Sequence, residues 1–301
     1  MQTLIFSIII PTYNRRDAIE RCLHSLSLLD YPASAFEIIV VDDGGGHPIS
    51  DIIDRFKENL NISLIRQNNS GPASARNAGA SIAKGKYLLF TDDDCTSCID
   101  LLRKLEIHIN SFPKYAIGGK TLNALTENIY SKAQQVLLDY LFVRFNKDKI
   151  TFLTSSNLTV DNSTFKSIGG FNGNFKIAGG EDRDFCRRLR ASGCPLVYAS
   201  EAQVYHYHPL SLLSFAELNF RYGRGAYLFR NPTSSVQNAH VAFEPFKFYL
   251  NLVLHHLKSG AGLSRIAIAL LLLISQAANA FGFVLEAVIY CTHRGRKNII
   301  S

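Results

Sequence analysis

With 301 residues, 47% of them apolar, the chain can bury the core of one large domain or of two closely packed halves. Charged residues make up only 19%, yet the formal net charge is +7, which favours an anionic partner such as a nucleotide or a membrane surface. The basic residues are scattered and no nucleic-acid-binding motif stands out, so nucleic acid is not an expected partner.

In chain order, Ser7-Ile8-Ile9-Ile10 is a β-branched apolar run ending at Pro11, the pattern of a strand buried on both faces. Thr12-Tyr13-Asn14-Arg15 follows as a loop, with Asn14 expected to cap a helix that carries Ile19, Cys22, Leu23, Leu26 and Leu29 at helical spacing. Phe36 to Val41 is a second buried strand leading into Asp42-Asp43-Gly44. Ile52, Ile53 and Phe56 mark a second helix, and Ile62 to Ile65 a third strand. The small-residue stretch Gly71 to Gly79 predicts a helix packed close to a sheet, with Arg76 its one strong charge. Lys86 to Phe90 is then a buried strand that runs into Asp92-Asp93-Asp94.

Strands alternating with helices predict a doubly wound α/β half, whose ligand lies beyond the carboxyl ends of the strands. Thr12, Asp43 and Asp92 to Asp94 all fall at such ends. On strand alternation, Asp92 and Asp94 would point to one side and Asp93 to the other. Three adjacent carboxylates repel one another, and they read either as a solvated acidic turn or as the oxygen ligands of a hard cation.

The six cysteines form no disulfide framework and favour a reducing compartment. Cys95-Thr96-Ser97-Cys98 lacks a second pair, so it reads as ordinary buried thiols rather than a zinc site. No signal peptide is expected, since Met1-Gln2-Thr3 has no basic region and the apolar run enters a Pro-Thr turn.

In the second half, Tyr115 to Thr121 reads as a strand with a bulge or a close backbone approach at Gly118-Gly119. Tyr130 to Phe145 reads as a helix and Ser155 to Val160 as a strand. Gly169-Gly170-Phe171 is a loop. Glu181-Asp182 opens a helix, where helix capping alone could account for either carboxylate. Leu196 to Ala199 is a short last strand. His206 and His208 follow in an extended stretch and face the same way, which suits a metal or a phosphate.

Taken together, SIIIPTYNR (Ser7 to Arg15), VVDDG (Val40 to Gly44), GPASARNAG (Gly71 to Gly79), FTDDDC (Phe90 to Cys95), GGF (Gly169 to Phe171) and GEDRD (Gly180 to Asp184) resemble, in order and spacing, the family 2 glycosyltransferases. The resemblance covers roughly residues 5 to 225. It implies an α/β GT-A fold, a mostly parallel central sheet flanked by helices. A catalytic domain would occupy 1–228, with a nucleotide half at 1–95 and an acceptor half at 96–228, before a C-terminal helical extension at 229–301. It further implies an inverting, metal-dependent transferase. Such an enzyme moves sugar from a nucleotide-diphospho-sugar, by family habit a UDP-sugar, to a glycan or lipid-linked acceptor of the cell envelope.

By position, Pro11, Thr12, Tyr13 and Asp43 would meet the nucleotide base, with Arg76 nearby. Asp92 would support the site, Asp93 would contact the ribose, and Asp94 would ligate Mn²⁺ or Mg²⁺. His206 would be a second ligand, with His208 the weaker candidate. Asp182 would be the general base, and Asn157 and Glu181 would line the acceptor side. A sugar-phosphate nucleotidyltransferase would want a basic Gly-rich loop after the first strand, where Pro11-Thr12-Tyr13-Asn14 stands. A dehydrogenase would need G-x-G-x-x-G there. A catalytically inactive sugar-nucleotide or partner-binding module is the remaining alternative, and the intact carboxylates argue against it.

After Arg230-Asn231-Pro232 the resemblance fades. Glu244 to Leu257 is rich in Leu and aromatics, and Ile266 to Cys291 is apolar for the length of a membrane span. Ser275, Asn279, Gly282 and Glu286 form a small or polar stripe. Arg265 precedes the run, and His293, Arg294, Arg296 and Lys297 follow it. Three readings stand: a helix pair packed on the protein or on a second subunit of a homo-oligomer, an in-plane membrane contact through 245–301, and a true span that would place Glu286 in lipid. The expected location is the cytoplasm, at the cytoplasmic face of the membrane.

Overall fold

The computed structural model describes residues 4–146, 149–177, 179–230, 246–258 and 263–300. Asn231, Pro232 and Glu244, and the side chains of His293, Arg294, Arg296 and Lys297, lie outside the described residues.

Eight strands form one sheet: β1 (Phe6–Thr12), β2 (Phe36–Asp42), β3 (Ile62–Arg66), β4 (Tyr87–Thr91), β5 (Cys95–Ser97), β6 (Ala116–Asn123), β7 (Asn157–Asp161) and β8 (Leu196–His206). Their order is β3-β2-β1-β4-β7-β6-β8-β5. β1 to β4 pair in parallel, as do β6 and β8. The pairs β4–β7, β6–β7 and β5–β8 are antiparallel. The expected α/β fold with a mostly parallel sheet is present. β1 and β2 earn their central places by composition: Ile8, Ile10, Ile38 and Val40 are fully buried, and each such side chain contributes about 2 kcal/mol of transfer free energy.

Helices α1 (Arg16–Ser27), α2 (Ser50–Phe56), α3 (Pro72–Ile82), α4 (Leu101–Ser111), α6 (Asn162–Ser167) and α7 (Glu181–Ala191) accompany this sheet. The remaining helices are α5 (Ile129–Phe145), α8 (Leu212–Arg230), α9 (Phe246–Lys258) and α10 (Leu263–Ile300). The small residues of α3 do what the sequence predicts, since a Cβ on Gly79 would lie 2.6 Å from Ile9 Cγ2 and 3.2 Å from Val41 Cγ2.

Two local expectations need correction. Asn14 is not the cap of α1. It sits in the left-handed region at φ 55 and its Oδ1 accepts from Gly46 N–H at 2.7 Å, while Arg15 takes the cap position. The last strand does not stop at Ala199. β8 continues to His206, and between the pairs Gly119–Ala199 and Lys120–Gln203 it carries the extra residues Ser200 to Ala202. The irregularity therefore lies in β8, and Gly119 supplies the close approach, because a Cβ there would run into Ala202 O and Asn157 Nδ2. Finally, β5 was not legible as a strand.

The described residues fall into two compact units. The first is bounded as Met1–Ala124, Phe145–Lys176 and Asp182–His208, and it holds the whole sheet. The second is bounded as Leu125–Arg144, Ile177–Glu181 and Pro209–Ser301. The second has its own core, in which Leu137, Phe215, Leu218, Leu252 and Leu272 are buried together.

Candidate active site

β1, β2 and β4 end side by side, so the loops after them converge at one sheet edge. Asp43, just past β2, is buried and acts first as an anchor. Its Oδ1 accepts from Gln67 Nε2 at 2.7 Å and Ser70 N–H at 2.9 Å, and its Oδ2 from Gly71 N–H at 2.9 Å. The loop that enters α3 is thereby fixed. Gly71 holds φ 87, and a Cβ there would lie 2.5 Å from Lys176 O. Tyr13, in the loop after β1, stands 48% exposed.

β4 stops at Thr91, so the strand alternation expected for the three aspartates ends before them. Asp92 turns to Arg76, whose Nη2 lies 2.8 Å from its Oδ1. Arg76 is itself buried, with its guanidinium over the Phe171 ring at 5.5 Å. Asp93 and Asp94 share a cation that the sequence reading passed over. Arg15 Nη1 lies 3.1 Å from Asp93 Oδ1 and 2.7 Å from Asp94 Oδ2. The Thr12 hydroxyl donates to Asp93 Oδ2 at 2.7 Å, which engages both Asp93 oxygens. Pro11 and Thr12 thus lie at the expected edge, with Thr12 committed to Asp93. Arg15 was the only cation in the first strand-to-helix loop, and that was the signal available.

His206 reaches Asp94 through strand pairing. Cys95 of β5 stands opposite His206 in the antiparallel ladder, and Tyr207 N–H donates to Asp94 O at 2.7 Å. His206 Nε2 comes within 2.9 Å of Asp94 Oδ1, yet that buried oxygen accepts no directed hydrogen bond. At that distance the imidazole and the carboxylate stabilise each other's charged forms. Burial alone would raise the Asp94 pKa, but His206 and then Arg15 outweigh it and hold it below the usual range. Burial would likewise depress His206, and Asp94 overcomes it to raise its pKa. Asp93 goes the other way: burial lifts it above the usual carboxylate range against the pull of Arg15.

Donor atoms of Asp94, Cys95 and His206 lie within 4.8 Å of one another. Burial pushes the Cys95 thiol well up, which keeps it protonated, so Asp94 and His206 are the pair suited to a cation. A carboxylate oxygen beside an imidazole nitrogen suits a divalent cation. His208 lies tilted against His206, with ring centroids 5.1 Å apart.

Asp182 stands in the first turn of α7, within electrostatic reach of Arg76. Ser155 N–H donates to its Oδ2 at 3.1 Å, while its Oδ1 is buried and unpartnered. Burial raises its pKa, and Arg76 restrains the rise. Glu181 is buried, and its Oε2 accepts from Gly179 N–H at 2.6 Å in the turn that leads into α7. Asn157 departs from expectation. It is fully buried, and its Nδ2 donates to Ala202 O at 3.0 Å, so it ties β7 to β8 inside the sheet instead of lining an acceptor surface.

A family model described as glycosyl transferase family 2 matches residues 7–169, more than half of the chain. The chain belongs to that family. A second model, the N-terminal domain of galactosyltransferase, matches residues 143–209. Glycosyltransferase AglE of Haloferax volcanii is 28% identical over 225 residues, covering 73% of this chain and 72% of AglE. Poly(ribitol-phosphate) beta-N-acetylglucosaminyltransferase TarS of Staphylococcus aureus is 37% identical over 91 residues, which are 30% of this chain and only 16% of TarS.

Among solved structures, the mannosyltransferase PcManGT of Pyrobaculum calidifontis, in complex with GDP-Man and Mn²⁺, has a TM-score of 0.65 at 14% identity over 93% of this chain and 88% of its own. The crystal structure of S. aureus TarS has a TM-score of 0.54 at 18% identity, over 93% of this chain and 54% of that one. Residues 1–349 of TarS with UDP-GlcNAc give 0.55 at 18% identity, over 96% and 92%. These likenesses establish the GT-A fold.

Proposed function

We propose that this glycosyltransferase moves a sugar from a nucleotide-diphospho-sugar, UDP-linked in the first instance, to an acceptor hydroxyl with inversion at the anomeric carbon. Catalysis is placed in 1–228, with 229–301 as a helical extension. The observation that carries the reading is the pairing of two differently tuned carboxylates in one unit. Asp94 is held ionised beside His206, while Asp182 is raised and keeps a buried oxygen free of partners. One suits a cation and the other suits a proton.

Asp94 and His206 would hold the divalent cation, which when bound supplies charge to the departing diphosphate. Asp43, Thr12 and Tyr13 would receive the nucleotide, Asp93 would contact the ribose once Arg15 releases it, and Arg76 holds Asp92. Asp182 Oδ1 would accept the acceptor hydroxyl's proton as the new bond forms. Its raised pKa makes it a stronger proton acceptor than an ordinary aspartate, and Arg76 restrains that rise. With Asp182 as the base and no carboxylate among the described residues assigned as nucleophile, a one-step displacement inverts the sugar. Support comes from neighbours whose structures contain UDP-GlcNAc or GDP-Man with Mn²⁺. Relatives named for poly(ribitol-phosphate) glycosylation support a polymer acceptor, and the enzyme's place in this reading is the cytoplasmic face of the membrane.

A panel of nucleotide sugars assayed with Mn²⁺ and with EDTA tests this. The reading predicts sugar release or transfer from one donor class, lost with EDTA, and an inverted anomeric signal in the product by NMR. Turnover that EDTA leaves intact, or a retained configuration, would overturn it.

A further inference from the structure

The stripe Ser275, Asn279, Gly282 and Glu286 on α10 faces protein, not water. Ser275 is fully buried, and Asn279 Nδ2 reaches Asn219 O of α8 at 3.4 Å. The two helices meet backbone to backbone, since a Cβ on Gly223 would run into Asn279 O and one on Gly282 into Phe220 O. Glu286 pairs with Arg224 of α8 at 2.6 Å and is 12% exposed.

The opposite face reverses the usual arrangement of a water-soluble helix. Ile266, Leu270, Leu273, Phe281, Val284 and Val288 are all exposed, Leu270 to 57% and Phe281 to 69%, with exposed Ala277 filling the gap between them. At 1.5 Å per residue this apolar stripe runs about 33 Å. Such a length of large side chains exceeds the scattered apolar residues of an ordinary soluble surface.

We propose that this face of α10 lies in the plane of an anionic lipid surface. The proposal deepens the membrane-face location given above and rests on it. Charge selects the occupant. Between Pro245 and Ser301 the sequence holds Lys247, Lys258, Arg265, Arg294, Arg296 and Lys297 and a single acid, Glu286, which Arg224 neutralises on the inner face. An apolar strip with cations at both ends complements acyl chains bordered by anionic headgroups. A second copy of the chain would set cations against cations whichever way the helices ran. A true span would have to pull Glu286 from Arg224 and carry it into hydrocarbon.

Flotation of the full chain with vesicles of phosphatidylcholine alone, or mixed with phosphatidylglycerol, tests the assignment without donor or acceptor. Wild type should float with the mixed vesicles, less so at high salt, and alkaline carbonate should release it. The double variant Leu270→Gln/Phe281→Gln should bind roughly tenfold more weakly with an unchanged unfolding midpoint, because both side chains are exposed in the free protein. If the variant floats as well as wild type, this face is wrong while the membrane location stands. If wild type does not float, the location fails as well. If it instead sediments as a dimer that the variant splits, the face belongs to a second copy. Resistance to carbonate would assign a span and overturn the in-plane geometry. The sugar-transfer reading is judged separately, by the nucleotide-sugar assay.

Discussion

Arg15 holds the two inner aspartates with one nitrogen, and that nitrogen sits on the oxygen of Asp94 turned away from His206. It therefore supplies positive charge where a cation-binding site would otherwise carry unrelieved repulsion. Because the guanidinium is nearly half exposed, solvent screens it and its effect is modest. In Arg15→Gln the competing charge is gone, and Mn²⁺ without nucleotide should bind roughly fivefold more tightly, read from free Mn²⁺ by electron paramagnetic resonance. Unchanged or weaker binding would show that Arg15 is not a competitor.

The Asp94–His206 contact makes a second prediction, for the metal-free protein. Asp94 is depressed, so its contribution to stability is present above the unfolded carboxylate pKa and is lost as pH falls through the lowered folded value. His206 is raised, so its contribution is full below the unfolded imidazole pKa and is lost as pH rises through the raised folded value. Both hold together between about pH 4 and 6.5. The difference in unfolding midpoint between wild type and His206→Ala should be largest there and shrink at higher pH, measured by differential scanning calorimetry in EDTA.

At the scale of elements, the positions of the strands that carry the site were written in their apolar runs. The turn at Asp92 to Asp94 was not, because alternation holds only while a strand lasts and β4 ends one residue earlier. Asn157 shows the same limit: its motif position was visible, but its burial depends on Ser200 to Ala202 swelling out of β8, a long-range pairing with no local signal. Arg15 was missed because its partners lie 78 and 79 residues away. Gly119 is the element-scale test. With Ala202 O and Asn157 Nδ2 in the place of a Cβ, neither free to retreat, Gly119→Ala should cost about 1–3 kcal/mol by urea denaturation. A cost below about 0.5 kcal/mol would mean that the β6–β8 approach is looser than described.

Across the whole molecule, the motif order read from the sequence and the family match agree on a glycosyltransferase, while the motifs gave no view of which way α10 turns its polar stripe. The central claim is narrower than the family: Asp182 takes the proton, and donor binding belongs to the separate edge around Asp43 and Asp94. Asp182→Asn tests it most directly, with UDP binding followed by calorimetry and transfer by product formation. The account predicts donor affinity within about twofold of wild type and a fall in kcat of a hundredfold or more, roughly the contribution of a positioned base. A variant that keeps more than about a tenth of wild-type kcat would contradict it.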